Sequence, residues 1–182
     1  MSSAPLPFFT VGHSTRPIAD FVELLRAGQV QLVVDVRTVP RSRTNPQYNG
    51  TDLGASLAEY QIGYDRIASL GGLRKRVSEA RPETNGWWTN QSFHNYADYA
   101  GTEPFERGLD ELVALGRTRT VVIMCSEAVW WRCHRRIIAD YLLARGETVF
   151  HLMGKDRVEQ ARLSIGAKLT GATIRYPAGR ED

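Results

Sequence analysis

The chain reads as a single-domain α/β protein: a doubly wound, mainly parallel sheet of about five strands, with helices on both faces. Three observations predict this. Short apolar runs ("PFFTV", "QLVVDV", "TVVIMC", "ETVFHLM") recur along the 182 residues. Segments with apolar residues at helical spacing separate them, so strands and helices alternate. And "QLVVDVR" is apolar on both faces, as a strand buried within a parallel sheet is.

Each element has its own signal. "PFFTVGHS" is a strand running into a loop, and Thr15 ahead of Pro17 suits a helix start. Ile18, Phe21, Val22, Leu24 and Leu25 then recur at helical spacing, with Gly28 as the stop. After the second strand, residues 38–50 ("TVPRSRTNPQYNG") form a loop longer than usual connections, a length that points to function. "TDLGASLAEYQI" is a short helix and "YDRIASLGGL" a third, weaker strand with its own glycine turn. Residues 74–91 are polar and irregular apart from Trp87 and Trp88, and read as a loop or flap. "SFHNYADYAG" and "TEPFERGLDELVALG" are helices, the second capped by Thr102 and ended by Gly116. "TVVIMC" is the fourth strand, "RCHRRIIADYLLARG" a helix stopped by Gly146, and "ETVFHLM" the fifth strand. The core thus runs over about 9–153, and residues 154–182 form a basic segment without clear periodicity.

Composition narrows the function classes. The chain is 42% hydrophobic and 24% charged, an ordinary globular balance. No apolar run is long enough to cross a bilayer, and the first residues lack the pattern of a secretory signal. With two cysteines, Cys125 and Cys133, a disulfide framework is not expected, and a cytoplasmic setting is. Net charge is +3, but the arginines are grouped: Arg37, Arg41 and Arg43; Arg74, Arg76 and Arg81 with Lys75; and Arg132, Arg135 and Arg136. One such group is compatible with a solvated face. Three in one domain favour an anionic partner.

In open α/β sheets, ligands bind beyond the carboxyl ends of the strands, where the crossovers reverse. Three predicted strands end in polar residues: Gly12, His13, Ser14 and Thr15; Asp35 and Arg37; Cys125 and Glu127. The next helix adds Cys133 and His134, four residues before Ile137 and Ile138 on its inward face. Arg136 is placed to pair with Asp140, while Arg135 has no such partner and is available to an anion.

Taken together, "VGHSTR", "DVRTVPRSRTNPQYN", "SLGGLR", "YADYA" and "MCSE…CHRRIIADYL" resemble the family known as domain of unknown function 488, over about Phe9 to His151. The resemblance implies an α/β fold and a shared polar site, but no established reaction. Its signature falls here on Gly12, His13, Ser14, Asp35, Arg37, Pro40, Asn45, Cys125, Glu127, Cys133, His134 and Arg135. Between Glu127 and Cys133 this chain carries Ala-Val-Trp-Trp-Arg, where the family carries polar residues and a proline.

Three chemistries fit these residues. The first is binding of a phosphate-bearing ligand, a nucleotide or nucleic acid. Arg37, Arg41, Arg43 and Arg135 would grip it, with Gly12, Ser14, Thr15, Asn45 and His134 around it and Trp131 or another tryptophan stacking on a base. His13 and Glu127 would serve as an acid/base pair, with Asp35 beside them. The second is nucleophilic attack by Cys125. Thiol phosphatases and sulfurtransferases place an arginine after a five-residue loop. Here that position holds Trp131, and Glu127 would repel a phosphate. The third is a metal on Cys125, Cys133 and His134, whose spacing lacks the C-x2-C of common zinc sites. A non-catalytic interaction module would instead present Trp87, Trp88 and Trp130 as an exposed apolar patch. The residues do not identify a cofactor.

Overall fold

The computed structural model describes residues 3–179. Their centre is a six-stranded sheet ordered β3-β2-β4-β1-β5-β6. β1 (Phe8–Gly12), β2 (Leu32–Asp35), β3 (Gly63–Arg66), β4 (Val121–Cys125) and β5 (Val149–Gly154) are parallel. β6 (Arg157–Gln160) turns back antiparallel to β5 and makes the sheet mixed. A separate hairpin, β7 (Lys168–Thr170) with β8 (Thr173–Arg175), follows.

Alternation along the strands builds two apolar layers. Phe9, Val11, Val33, Val122, Met124 and Leu152 face α1 (Ile18–Arg26) and α2 (Gly50–Ala58), through Phe21, Leu25, Leu53 and Leu57. Phe8, Val34, Ile123 and Val149 face α3 (Gln91–Ala100), α4 (Glu103–Thr118) and α5 (Arg135–Ala144). The expected doubly wound architecture is therefore present. β1 leaves across β4 toward β2, and β4 leaves across β1 toward β5, so these central neighbours diverge at their carboxyl ends. That divergence opens the crevice in which such sheets place ligands.

Several details differ from the sequence reading. Thr15 is exposed and Pro17 stands at the start of α1. Past that helix the positive φ belongs to Gln29, while Gly28 lies against the ring of Phe9. Gly116 is inside α4 rather than beyond it, because a side chain there would collide with the ring of Phe8. Thr102 begins that helix without a side-chain cap; its hydroxyl donates to Tyr99 O at 2.6 Å. α5 starts only at Arg135, after a 3-10 turn at Trp130–Arg132, so Cys133 and His134 precede the helix. Gly146 does stop it, at φ +83°.

The C-terminal segment packs on the rest. Tyr176 is fully buried, its ring beside Trp87 and Trp88, and its hydroxyl donates to Asp140 Oδ2 at 2.8 Å. Trp87 N–H donates to Tyr176 O at 2.9 Å, and Tyr176 N–H to Asn85 Oδ1 at 3.0 Å, which pins the 74–91 loop. Asp140 is thus engaged by Tyr176 and by the Ser164 amide, and the expected Arg136–Asp140 ion pair does not form. Arg136 lies instead over Trp88, 4.9 Å from the ring centroid. Residues 180–182 of the basic segment lie outside the described residues. Among those described, no helix is long and apolar enough to cross a membrane.

Candidate functional site

The carboxyl ends of the strands meet as expected. Gly12 is in register with Cys125 and Asp35 with Met124. Between them opens a cleft of about 370 Å³ lined by Arg37, Arg41, Glu127, Arg132, Cys133 and His134, among others. Two polar clusters, on opposite faces of the sheet, form its base.

On the α1/α2 side stands Arg37, 6% exposed. Its Nε and Nη2 donate to Asp35 Oδ1 and Oδ2 at 2.9 and 2.6 Å, and Nη2 also to Tyr48 O at 2.7 Å. Asp35 receives two further donors, the Arg37 amide at 3.0 Å and the Tyr64 hydroxyl at 2.6 Å. His13 stacks on Tyr48 with centroids 4.1 Å apart. Its Nδ1–H donates to Ser14 O at 2.7 Å, since a carbonyl only accepts, and Nε2 accepts from Arg37 Nη1 at 3.3 Å. Burial first, and then the charge of Arg37, push the His13 pKa down to about 4, so the ring is neutral at pH 7.

On the α5 side stands Arg135, 0% exposed. Its Nη1 donates to Thr10 Oγ1 at 3.3 Å and Nη2 to Glu127 O at 2.7 Å, while Nε has no partner. Thr10 Oγ1 lies 2.6 Å from His151 Nδ1, and Trp130 stacks on His151. Burial lowers His151 to about 4 as well. Cys125 and Cys133 lie together beside Arg135. Cys133 Sγ accepts the Arg135 amide at 3.5 Å and lies 3.5 Å from His134 Nδ1. His134 Nε2–H donates to Val36 O at 2.8 Å, which turns Nδ1 toward the sulfur. Burial raises the Cys125 thiol. Burial also opposes ionisation of Cys133, but the neighbouring Cys125, His134 and Arg135 outweigh it and hold that thiol well below its usual value.

These positions sort the expected residues. Arg37, Arg41, Cys125, Glu127 and His134 line the cleft, as does Cys133. His13 and Asp35 lie behind Arg37 and hold it; His13 is 2% exposed and off the lining, so it and Glu127 are not brought together as an acid/base pair. Gly12 and Ser14 offer no anion cradle. The amides of His13 and Ser14 donate to Cys125 O and Ser126 O, extending the β1–β4 ladder, and a side chain at Gly12 would fall onto the Glu127 carbonyl. The start of α5 is likewise closed, its amides bonded to Cys133 Sγ, Cys133 O and His134 O. Arg135 is sealed inside rather than facing a ligand. Thr15, Arg43 and Trp131 are exposed but off the lining, and Asn45 is occupied within its own loop, its amide donating to Ser42 Oγ at 3.0 Å. Among the described residues, no three His, Cys, Asp or Glu side chains are arranged to hold a metal.

Thr38, Val39, Gly72, Leu73, Ser92, Phe93 and Ser126 complete the walls without having been named in advance, whereas Arg132 comes from the third arginine group. One was detectable: Gly72 stands in "SLGGLR", and a Cβ there would come within 2.5 Å of His134 Nδ1. Thr38 and Val39 open the 38–50 loop whose length pointed to function; the others arrive from turns and from the first turn of α3, where no periodicity points to a site.

A family model described as "Domain of unknown function DUF488" matches residues 17–142, more than half of the chain. No curated protein and no solved structure matches it.

Proposed function

The chain belongs to the DUF488 family, and we propose that it binds a small phosphate-bearing ligand of about nucleotide size in this cleft. One observation carries the reading: Arg37, Arg41 and Arg132 converge on a lining with a single carboxylate, Glu127. Arg37 contributes most to selectivity. Four of its five N–H groups are held by Asp35, Tyr48 and His13, so the remaining Nη1–H is aimed before any ligand arrives. Arg41 and Arg132 are exposed and supply bulk attraction. The volume falls in the range of small-molecule sites, and Phe93, Leu73 and Val39 give an apolar wall for a base or similar ring. A concave site of this size favours a nucleotide over an extended nucleic-acid strand. Any proton transfer to the bound ligand falls to Glu127, the only carboxylate on the lining.

Calorimetric titration with inorganic phosphate, nucleoside monophosphates and a short single-stranded oligonucleotide tests this. Arg41→Gln and Arg132→Gln should each weaken monophosphate binding by about tenfold, the equivalent of ~1.4 kcal/mol for a charge-assisted bond. Raising salt should weaken it further. Affinity indifferent to both substitutions and to salt would defeat the proposal. Tighter binding of the oligonucleotide would replace the nucleotide with a strand.

A further inference from the structure

A buried guanidinium cannot shed its proton, so it needs a counter-charge. Arg135 has no carboxylate against it among the described residues. Its two bonded acceptors, a threonine hydroxyl and a peptide carbonyl, are neutral. Its Nε is unpartnered at 0% exposure. The groups beside it that can become anions are the thiols of Cys125 and Cys133. Both line the cleft at 3% and 5% exposure, so a small reagent entering there meets sulfur. Their surroundings differ: Cys133 Sγ receives the Arg135 amide and faces His134, whereas Cys125 makes only a long contact to Glu127 O at 3.8 Å.

We infer that Cys125 and Cys133 form a redox-active dithiol that takes a small hydroperoxide as its oxidant, Cys133 being the attacking thiolate and Cys125 the resolving thiol. This centre is independent of the phosphate reading, because it rests on Arg135 and the sulfurs and not on Arg41 or Arg132. In the first step Cys133 sulfur attacks the hydroperoxide. An S–O bond forms as O–O breaks, and the leaving alkoxide takes a proton from water. In the second, Cys125 sulfur attacks Cys133 sulfur. S–S forms, S–O breaks, and hydroxide leaves with the Cys125 proton as water. Each sulfur gives up one electron, and the peroxide gains two. Arg135 compensates the initial thiolate, and its amide and the His134 ring orient it.

Intact-mass spectrometry after brief hydrogen peroxide treatment reads each step. The wild-type chain should lose two hydrogens, regain them with dithiothreitol, and react roughly tenfold faster at pH 7 than free cysteine. Cys125→Ser and Cys125→Ala should stop at a gain of one oxygen on Cys133, trapped by dimedone, and Cys133→Ser should be inert on that timescale. Circular dichroism confirms that each variant is folded. Gain of oxygen by the wild-type chain without a disulfide, or equal reactivity of the two cysteines, would overturn the inference. Neither result bears on monophosphate affinity.

Discussion

Arg37 and Arg135 are both buried, both at the carboxyl edge of one sheet, and each is linked to a histidine that burial keeps neutral. They differ in their counter-ions. Arg37 is held by the Asp35 carboxylate, which Tyr64 and the Arg37 amide further fix. The Arg135 guanidinium has only a carbonyl and a hydroxyl as bonded acceptors, with the two thiols beside it. The first arrangement is rigid and permanent at neutral pH, suited to holding a donor in place. In the second, neutrality depends on the state of a thiol, so the charge balance changes whenever that sulfur is protonated, oxidised or alkylated. A single edge thus carries a fixed charge pair on one face and a conditional one on the other.

Removing each arginine should expose that difference. Arg37→Met leaves Asp35, 0% exposed, with its charge uncompensated, and should cost about 3–5 kcal/mol in urea unfolding. Arg135→Met strands no permanent ion, since the Cys133 thiolate regains a proton. Its cost should be about 1–2 kcal/mol, from two lost hydrogen bonds. The accompanying change is spectroscopic: thiolate absorbance in the ultraviolet should appear at higher pH in Arg135→Met than in the wild type. Equal destabilisation by the two substitutions would mean that Arg135 has a permanent counter-charge after all.

Acid should weaken both sides alike. His13 and His151 are held near pH 4, below the ordinary value of 6.5. In the unfolded chain they bind protons as pH falls below about 6.5, while in the folded protein they do so only near 4. Between those values the unfolded state holds more protons, so stability drops as pH falls through this window. The loss is about 2–3 kcal/mol per histidine. Urea midpoints measured from pH 7 to 4 check it, and His151→Phe should flatten part of the slope.

The sequence discloses one of these regions better than the other. Asp35 and Arg37 are two apart at the end of an apolar strand, so they share a face, and their pairing is readable from spacing. Tyr64 and Tyr48, which complete that cluster, come from an edge strand and a loop turn, where spacing is silent. On the other side, the pattern around Ile137 and Ile138 placed Cys133 and His134 facing inward, but the helix was expected to begin before them. A 3-10 turn at Trp130–Arg132 ends instead at Cys133, so the thiol sits ahead of the first helical turn and its sulfur receives an amide. On that geometry the attacking thiol we infer is Cys133 and not Cys125, whose spacing to an arginine already argued against a nucleophile. Arg135 looked available because no acidic residue stands four positions away. Its burial depends on Thr10 and Glu127 O, which no local pattern connects. Four of the five parallel strands were legible from their apolar runs, whereas β3 is Gly-Tyr-Asp-Arg and left only a weak signal. β6 was not legible, because Arg157–Gln160 is a polar edge strand defined only by its pairing with β5.

The smallest effect separates the two partners of Cys133. At Gly72 a methyl group would come within 2.5 Å of His134 Nδ1, and that ring is tethered to Val36 O at its other nitrogen. Gly72→Ala must therefore tilt the imidazole away from the sulfur while leaving Arg135 and its amide untouched. The packing strain should be about 1 kcal/mol, at the low end for an added methyl, because a side-chain ring yields more readily than backbone. Alkylation of Cys133 by iodoacetamide, followed across pH, reports the consequence. If the buried guanidinium and the helix amide are the main support of the thiolate, the midpoint of the rate profile should move up only slightly, by less than in Arg135→Met. A larger move in Gly72→Ala than in Arg135→Met would transfer that role to His134, and the contrast between a fixed and a conditional arginine would become one between two histidines.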